Sequence, residues 1–181
     1  MIRRIAIIPA RINSKRIKEK NIKKINQKPL IQITIEVLKK SKFFNKIHIS
    51  TDSKKIKRMV NRHNLDIDFM RSNKLSKDKT PVADVVNFVL KKYNNLGENF
   101  DEVWLFYVSN PFLNINHINK AYKLYKKDYK KFSIMTVSNY SYPISWAMTI
   151  NKKKFLTPIS GLKKFANKKD ILCEAGMFVI Y

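Results

Sequence analysis

Between Pro9 and Asn21 the chain reads Pro9-Ala10-Arg11-Ile12-Asn13-Ser14-Lys15-Arg16-Ile17-Lys18-Glu19-Lys20-Asn21, which places five cations, one hydroxyl and two amides in a single short stretch. Guanidinium and ammonium groups make charge-assisted hydrogen bonds to anionic oxygens, so this set suits a polyphosphate. The stretch has no glycine. It is therefore neither a Walker loop nor a dinucleotide fingerprint, both of which need glycine to bring backbone amides close to phosphate. A solvated basic loop is the alternative reading of the same residues.

Such a loop can act only if rigid elements aim it. Residues 4 to 8, Arg-Ile-Ala-Ile-Ile, form a short, nearly continuous apolar run ending at Pro9, as expected of a strand buried on both faces of a parallel sheet. Ligands of open α/β sheets bind beyond the carboxyl ends of the strands, which is where this loop begins. Pro29 followed by Leu30, Ile31, Ile33, Thr34, Val37 and Leu38 predicts an amphipathic helix to about Lys40. A strand over Lys46 to Ser50 leads into a helix capped by Asp52 or Ser53, and Ile67 to Met70 predicts a third strand. Thr80 to Tyr93 reads as a helix with Val82, Val85, Val86, Val89 and Leu90 inward, and Glu102 to Val108 as the most apolar strand and hence the sheet centre. Asn114 caps a helix to about Lys127; Phe132 to Val137, Trp146 to Ile150 and Met177 to Tyr181 read as strands, the last a parallel strand lacking its following helix. Strands alternating with helices predict a three-layer α/β fold.

Composition bounds the function. The 38 Lys+Arg against 13 Asp+Glu give a formal charge of +25 in 181 residues, yet 44% of the chain is hydrophobic, enough for one domain with a real core. The lysines recur in pairs and triplets along the whole chain and read as a solvated coat, whereas Arg3, Arg4, Arg11, Arg16, Arg58, Arg62 and Arg71 all fall in the first 71 residues. The single cysteine, Cys173, excludes an internal disulfide and reads as a small buried hydrophobe. His48, His63 and His117 lack ligand spacing, and Trp104 and Trp146 read as core or interface. No apolar run reaches the roughly 20 residues of a membrane span, so a cytoplasmic protein is expected.

The residues also resemble a known family. Ile7-Ile8-Pro9-Ala10-Arg11, Ser14-Lys15-Arg16-Ile17, Lys20-Asn21-Ile22 and Lys28-Pro29-Leu30-Ile31 are similar to the opening signature of cytidylyltransferases that activate sialic, pseudaminic and related nonulosonic acids. Ile49-Ser50-Thr51-Asp52-Ser53, Phe69-Met70-Arg71, Asp78-Lys79-Thr80 and Tyr107-Val108-Ser109-Asn110-Pro111-Phe112-Leu113 follow in the family's order, the last closest to the pseudaminic acid branch. Ser141-Tyr142-Pro143-Ile144 and Glu174-Ala175-Gly176-Met177-Phe178 also resemble that branch.

The resemblance implies a Rossmann-like nucleotidyltransferase fold, mostly parallel, with a small β-rich dimerisation arm over residues 139–172. It implies attack by the anomeric hydroxyl of a nonulosonic acid on the α-phosphate of CTP, with release of pyrophosphate. Arg11 and Lys20 would hold the triphosphate as catalytic residues; Ala10, Ser14, Lys15 and Asn21 would complete the cradle, Arg71 would contact the nucleotide, and Tyr107 and Ser109 would face the sugar acid. Mg2+ is implied as cofactor, with aspartate ligands beyond Tyr181, so the chain reads as truncated at its C-terminus. A homodimer is implied, formed by an arm in which Tyr142, Trp146, Phe155 and Phe165 could pack on a partner.

The sequence departs from the pattern at two places. Ile12-Asn13 replaces a pair of small residues, which implies that Ile12 points away from phosphate, and Gln27 replaces a common turn glycine. A non-catalytic remnant of the family stays open as an alternative, as does, on charge alone, a basic nucleic-acid-binding module, for which no aromatic RNA motif or helix-turn-helix pattern is present.

Overall fold

The computed structural model describes residues 2–14, 17–127, 133–152, 154–162 and 171–181. Strand β1 (Arg4–Pro9) pairs in parallel with β4 (Lys46–Ser50) on one side and β5 (Glu102–Phe106) on the other. The registers run from Ile5 opposite Lys46 to Pro9 opposite Ser50, and from Arg4 opposite Glu102 to Ile7 opposite Leu105. With β6 (Ile134–Asn139) and β9 (Leu172–Ile180) the sheet has the order β4-β1-β5-β9-β6, which puts β5 at its centre.

Alternation along β1 explains the three layers. Ala6 and Ile8 face one side, where they join Leu30, Ile31, Ile35 and Leu38 of α1 (Leu30–Ser41), Ile56 and Val60 of α2 (Lys54–Asn61), and Ile118, Ala121 and Tyr125 of α4 (Ile115–Lys127). Ile5 and Ile7 face the other side and meet Val86, Val89 and Tyr93 of α3 (Val82–Asn95). A strand apolar at every position is thus one that is covered twice. Asn114 opens α4 as expected, its Oδ1 accepting from the His117 amide at 3.2 Å.

Several boundaries differ from the sequence reading. Residues 67–70 form no strand: Ile67 is buried, but Asp68 bonds to side chains, accepting from Lys46 Nζ and the Tyr93 hydroxyl, and Arg71 N donates to Thr51 O just past the end of β4. The segment is held by these bonds rather than by a strand ladder. Ser53, not Asp52, caps α2, its Oγ accepting from Ile56 N at 3.3 Å. Helix α3 starts at Val82 because Pro81 in extended conformation precedes it. The final strand is longer than expected and antiparallel to β5, with Trp104 opposite Ile180 and Phe106 opposite Phe178. An antiparallel neighbour needs no crossover helix, which removes the anomaly of a parallel strand without one.

A two-residue hairpin absent from the sequence reading joins β2 (Lys24–Ile25) and β3 (Lys28–Pro29), and its turn residues Asn26 and Gln27 both have positive φ, 46° and 65°. Two positive φ values are the signature of the hairpin turn that favours glycine in its second position, so Gln27 carries local strain.

The chain divides into two compact units, residues 1–135 with 176–181, and residues 136–175. The expected arm over 139–172 lies within the second. Where one strand was expected over Trp146 to Ile150, a 3-10 turn (Ile144–Trp146) precedes strand β7 (Met148–Ile150), which pairs antiparallel with β8 (Leu156–Pro158). Pro143 sets off this turn, and the Ala147 amide closes it on Ile144 O. The start expected at Phe132 falls outside the described residues, as does Phe165; the strand is described from Ile134. Cys173 is half-buried rather than buried, with Sγ 3.4 Å from Ser138 Oγ.

Candidate functional site

The sheet changes winding direction at β1, since the chain passes from β1 through α1 to β4 on one side and later returns to β5 on the other. Such switch points open a crevice at the carboxyl ends of the strands. A cavity of about 700 Å3 lies there, lined from the loop after β1 by Pro9, Arg11, Ser14, Ile17, Lys20 and Asn21, and from the segment after β5 by Tyr107 and Ser109. Arg71, Leu75, Lys77, Asp78, Thr80, Val82 and Val85 complete it. The volume is in the range of small-molecule sites. Four cations line it against one carboxylate among the described residues.

Local hydrogen bonds hold the loop in place. Ala10 N donates to Ser50 O at 2.9 Å, Ile12 N to Asp52 Oδ1 at 3.3 Å, and Asn21 Nδ2 to Arg11 O at 2.8 Å. Lys20 and Asn21 belong to a 3-10 turn entered through Glu19 with φ 51°, and Glu19 is anchored to α2 by Lys55 Nζ at 2.8 Å. Ile12 packs against the larger core cluster, away from the cavity, as its branched side chain requires. Asp52 therefore serves the loop rather than a helix end.

Of the residues singled out in the sequence, Arg11, Ser14, Lys20, Asn21, Arg71, Tyr107 and Ser109 come together around this cavity. Ala10 is fully buried within the larger core cluster and does not line it, and Lys15 lies outside the described residues. Lys77, Asp78 and Thr80 line the wall opposite the basic loop. Asp78-Lys79-Thr80 stood out as a motif, but the cavity role of these side chains depends on a fold that places the segment before α3 across from Arg11.

Arg71 is the most deeply set cation. It is 6% exposed; its Nε donates to Ser76 Oγ at 3.2 Å, and Nη2 is buried without a hydrogen-bond partner among the described residues. Burial pushes this guanidinium below its ordinary value, Asp52 opposes that and the Arg11 cation adds to it. A buried donor left unmatched by the protein costs free energy that a ligand acceptor recovers. Arg11 meets Asp78 at 2.5 Å across the cavity wall.

The other arginines have different work. Arg3 pairs with Glu98 at 3.0 Å and Arg4 with Glu102 at 2.7 Å, at the amino end of the sheet, while Arg58 and Arg62 are exposed. Arg16 lies outside the described residues. Among the described arginines, two thus line the cavity, two form ion pairs at the amino end of the sheet and two are exposed.

A family model described as cytidylyltransferase matches residues 5–168. A CMP-N,N'-diacetyllegionaminic acid synthase of Legionella pneumophila is 33% identical over 152 residues, covering 84% of this chain and 65% of that protein. A pseudaminic acid cytidylyltransferase of Campylobacter jejuni is 30% identical over 151 residues, covering 83% and 65%. The chain thus spans slightly less than two thirds of the length of these curated relatives. Among solved structures, that of CMP:2-keto-3-deoxy-manno-octonic acid synthetase complexed with CTP superposes with a TM-score of 0.70 at 18% identity, covering 98% of this chain and 73% of that one, a likeness of fold.

Proposed function

The chain belongs to the cytidylyltransferase family, and from that membership we propose that it transfers CMP from CTP to a nonulosonic acid of the pseudaminic or sialic acid type, releasing pyrophosphate, for cell-surface glycan synthesis. The observation that carries the proposal is the convergence of Arg11, Lys20 and Arg71 on one cavity at the switch point of the sheet. The names of the relatives, a legionaminic acid synthase and a pseudaminic acid cytidylyltransferase, support the acceptor class.

In this reaction an anomeric hydroxyl oxygen forms a bond to the α-phosphorus of CTP. The bond from that phosphorus to the pyrophosphate oxygen breaks, pyrophosphate leaves with the bonding electron pair, and the hydroxyl proton passes to solvent. Phosphoryl chemistry of this type depends on positioning and on stabilising the charge that builds up on the leaving group. Arg11 and Lys20 hold the β- and γ-phosphates as catalytic residues, with Ser14, Asn21 and Lys15 completing the cradle. Arg71 offers its unmatched donor to the nucleotide. Tyr107 and Ser109, after the central strand, face the sugar acid.

The resemblance to this family implies Mg2+, but the described residues do not fit it. They contain no group of three or more His, Cys, Asp or Glu side chains able to hold a metal ion, and the carboxylate lining the cavity, Asp78, faces a guanidinium. The charge stabilisation proposed here is that of the chain's own cations. Homodimerisation through the second unit is part of the same proposal. There Tyr142, Trp146, Phe155 and Leu156 are 65 to 74% exposed, and apolar side chains displayed this way favour a partner surface. No described helix is long and apolar enough to cross a membrane, and CTP as substrate favours the cytoplasm.

Incubating the chain with CTP, Mg2+ and pseudaminic, legionaminic or sialic acid tests the proposal by chromatography of the CMP-sugar and assay of pyrophosphate. Product from at least one acid is expected. Binding to random DNA at about 150 mM salt, with no CTP-dependent product, would favour the nucleic-acid reading instead, since diffuse electrostatic binding weakens steeply with salt.

A further inference from the structure

We infer that Asp78 is a positioning residue for Arg11, an internal stand-in for phosphate that holds the guanidinium at the cavity wall until a nucleotide takes it over. The inference rests on the nucleotide reading of this cavity and concerns a residue to which that reading gives no role.

Three observations carry it. Arg11 Nη1 and Asp78 Oδ1 are 2.5 Å apart, with side chains 30% and 29% exposed, so the pair is neither freely solvated nor sealed from the cavity. Asp78 is the one acidic side chain among the described residues lining the cavity, where it stands among Arg11, Lys20, Arg71 and Lys77. Arg11 and Asp78, with Lys77, also line a neighbouring pocket of about 500 Å3, so the ion pair borders both spaces.

The backbone at Arg11 is tied down by Asn21 Nδ2 on its carbonyl. The exchange therefore requires only a side-chain movement. A carboxylate and a phosphate are alternative acceptors for the same guanidinium fork. While the site is free of nucleotide, Asp78 keeps Arg11 extended and ordered; when CTP enters, phosphate competes for those donors and the carboxylate becomes a neighbouring like charge. Asp78 therefore lowers ground-state affinity for CTP while keeping Arg11 aimed.

Calorimetric titration of the full chain with CTP tests this, using wild type, Asp78→Asn, Asp78→Glu, Arg11→Ala and the Arg11→Ala/Asp78→Asn double variant, with circular dichroism as the check on folding. Asp78→Asn is expected to tighten CTP binding about two- to fivefold, the scale of a part-exposed ion pair. Asp78→Glu, which keeps the charge, stays close to wild type, and most of the gain disappears in the Arg11→Ala background because the effect runs through Arg11. Unchanged or weaker binding in Asp78→Asn, or an equal gain with and without Arg11, overturns the inference. Should Asp78→Asn fail to fold, Asp78→Ser takes its place under the same criteria. Wild-type chain that does not bind CTP overturns the nucleotide reading and this inference together, whereas wild-type binding with an unresponsive Asp78 overturns this inference alone.

Discussion

Arg4 Nε donates to Glu102 Oε2 at 2.7 Å across the paired starts of β1 and β5, and the Arg4 guanidinium also reaches the Tyr122 hydroxyl and lies over the Phe43 and Tyr122 rings. One strand thus carries a structural arginine at its amino end and delivers a cavity arginine, Arg11, just past its carboxyl end. The Glu102 side chain is only 2% exposed, and the Arg4 guanidinium is its ion-pair partner.

Removing one side of a buried pair leaves the other charge uncompensated. Glu102→Ala is expected to cost about 3 kcal/mol of folding stability. The double change Arg4→Met/Glu102→Leu should recover most of that loss, because an apolar pair of similar volume carries no desolvation penalty. Urea unfolding of the three proteins checks this, and a single-variant loss below about 0.5 kcal/mol, the level of an exposed pair, would place the strand junction's stability elsewhere.

The edge strand β4 holds a pH-sensitive group. His48 is 1% exposed, with Nδ1 2.9 Å from the Tyr93 hydroxyl, which itself donates to Asp68. Burial pushes this imidazole down to about 4, with Asp68 opposing and Lys46 adding. The unfolded chain, with an ordinary histidine, binds the proton more readily, so the stability His48 allows is full above pH about 6.5 and declines as pH falls toward 4, by about 3 kcal/mol in all. Asp68 is held low because hydrogen bonds from Tyr93 and Lys46 outweigh its partial burial, so its own loss comes at lower pH. Chemical denaturation between pH 7.5 and 4.5 should show the decline in wild type and a flat profile in His48→Gln.

At the β2–β3 turn, Gln27 occupies a backbone conformation that glycine adopts without strain. Gln27→Gly is expected to raise stability by about 0.5 to 1 kcal/mol, with cavity chemistry untouched. A lower melting temperature for that variant would show that the Gln27 side chain contributes more than its backbone costs.

Arg71 combines deep burial with an unmatched Nη2. Arg71→Lys keeps a cation but loses the planar fork, so CTP affinity should fall at least about tenfold, the equivalent of one charge-assisted hydrogen bond. Calorimetry of this variant beside wild type checks it.

How much of this was legible in the sequence depended on the kind of signal. Periodic elements were: the double-faced run of β1, the inner faces of α1, α3 and α4, and the centrality of β5 follow from side-chain patterning that the core requires. The β2–β3 hairpin was not, because its turn lacks the glycine that marks such turns. Residues 67–70 had the composition of a strand, but Asp68 bonds to the Lys46 and Tyr93 side chains and the following Arg71 amide bonds to Thr51 O. In the site, the basic loop announced itself by composition, whereas the opposing wall, Lys77 and Asp78, sits in a segment without periodicity. The partnership of Asp78 with Arg11 exists only once the sheet places the two segments face to face.

On the proposed function, the cavity beyond β1 and β5 binds CTP through Arg11. Isothermal titration of the full chain with CTP, in parallel with Arg11→Ala, tests it most directly. Saturable one-site binding that CMP competes for is expected, weakened by about 2 kcal/mol or more, roughly thirtyfold, in Arg11→Ala. No saturable binding of CTP, or equal affinity in the two proteins, would contradict it.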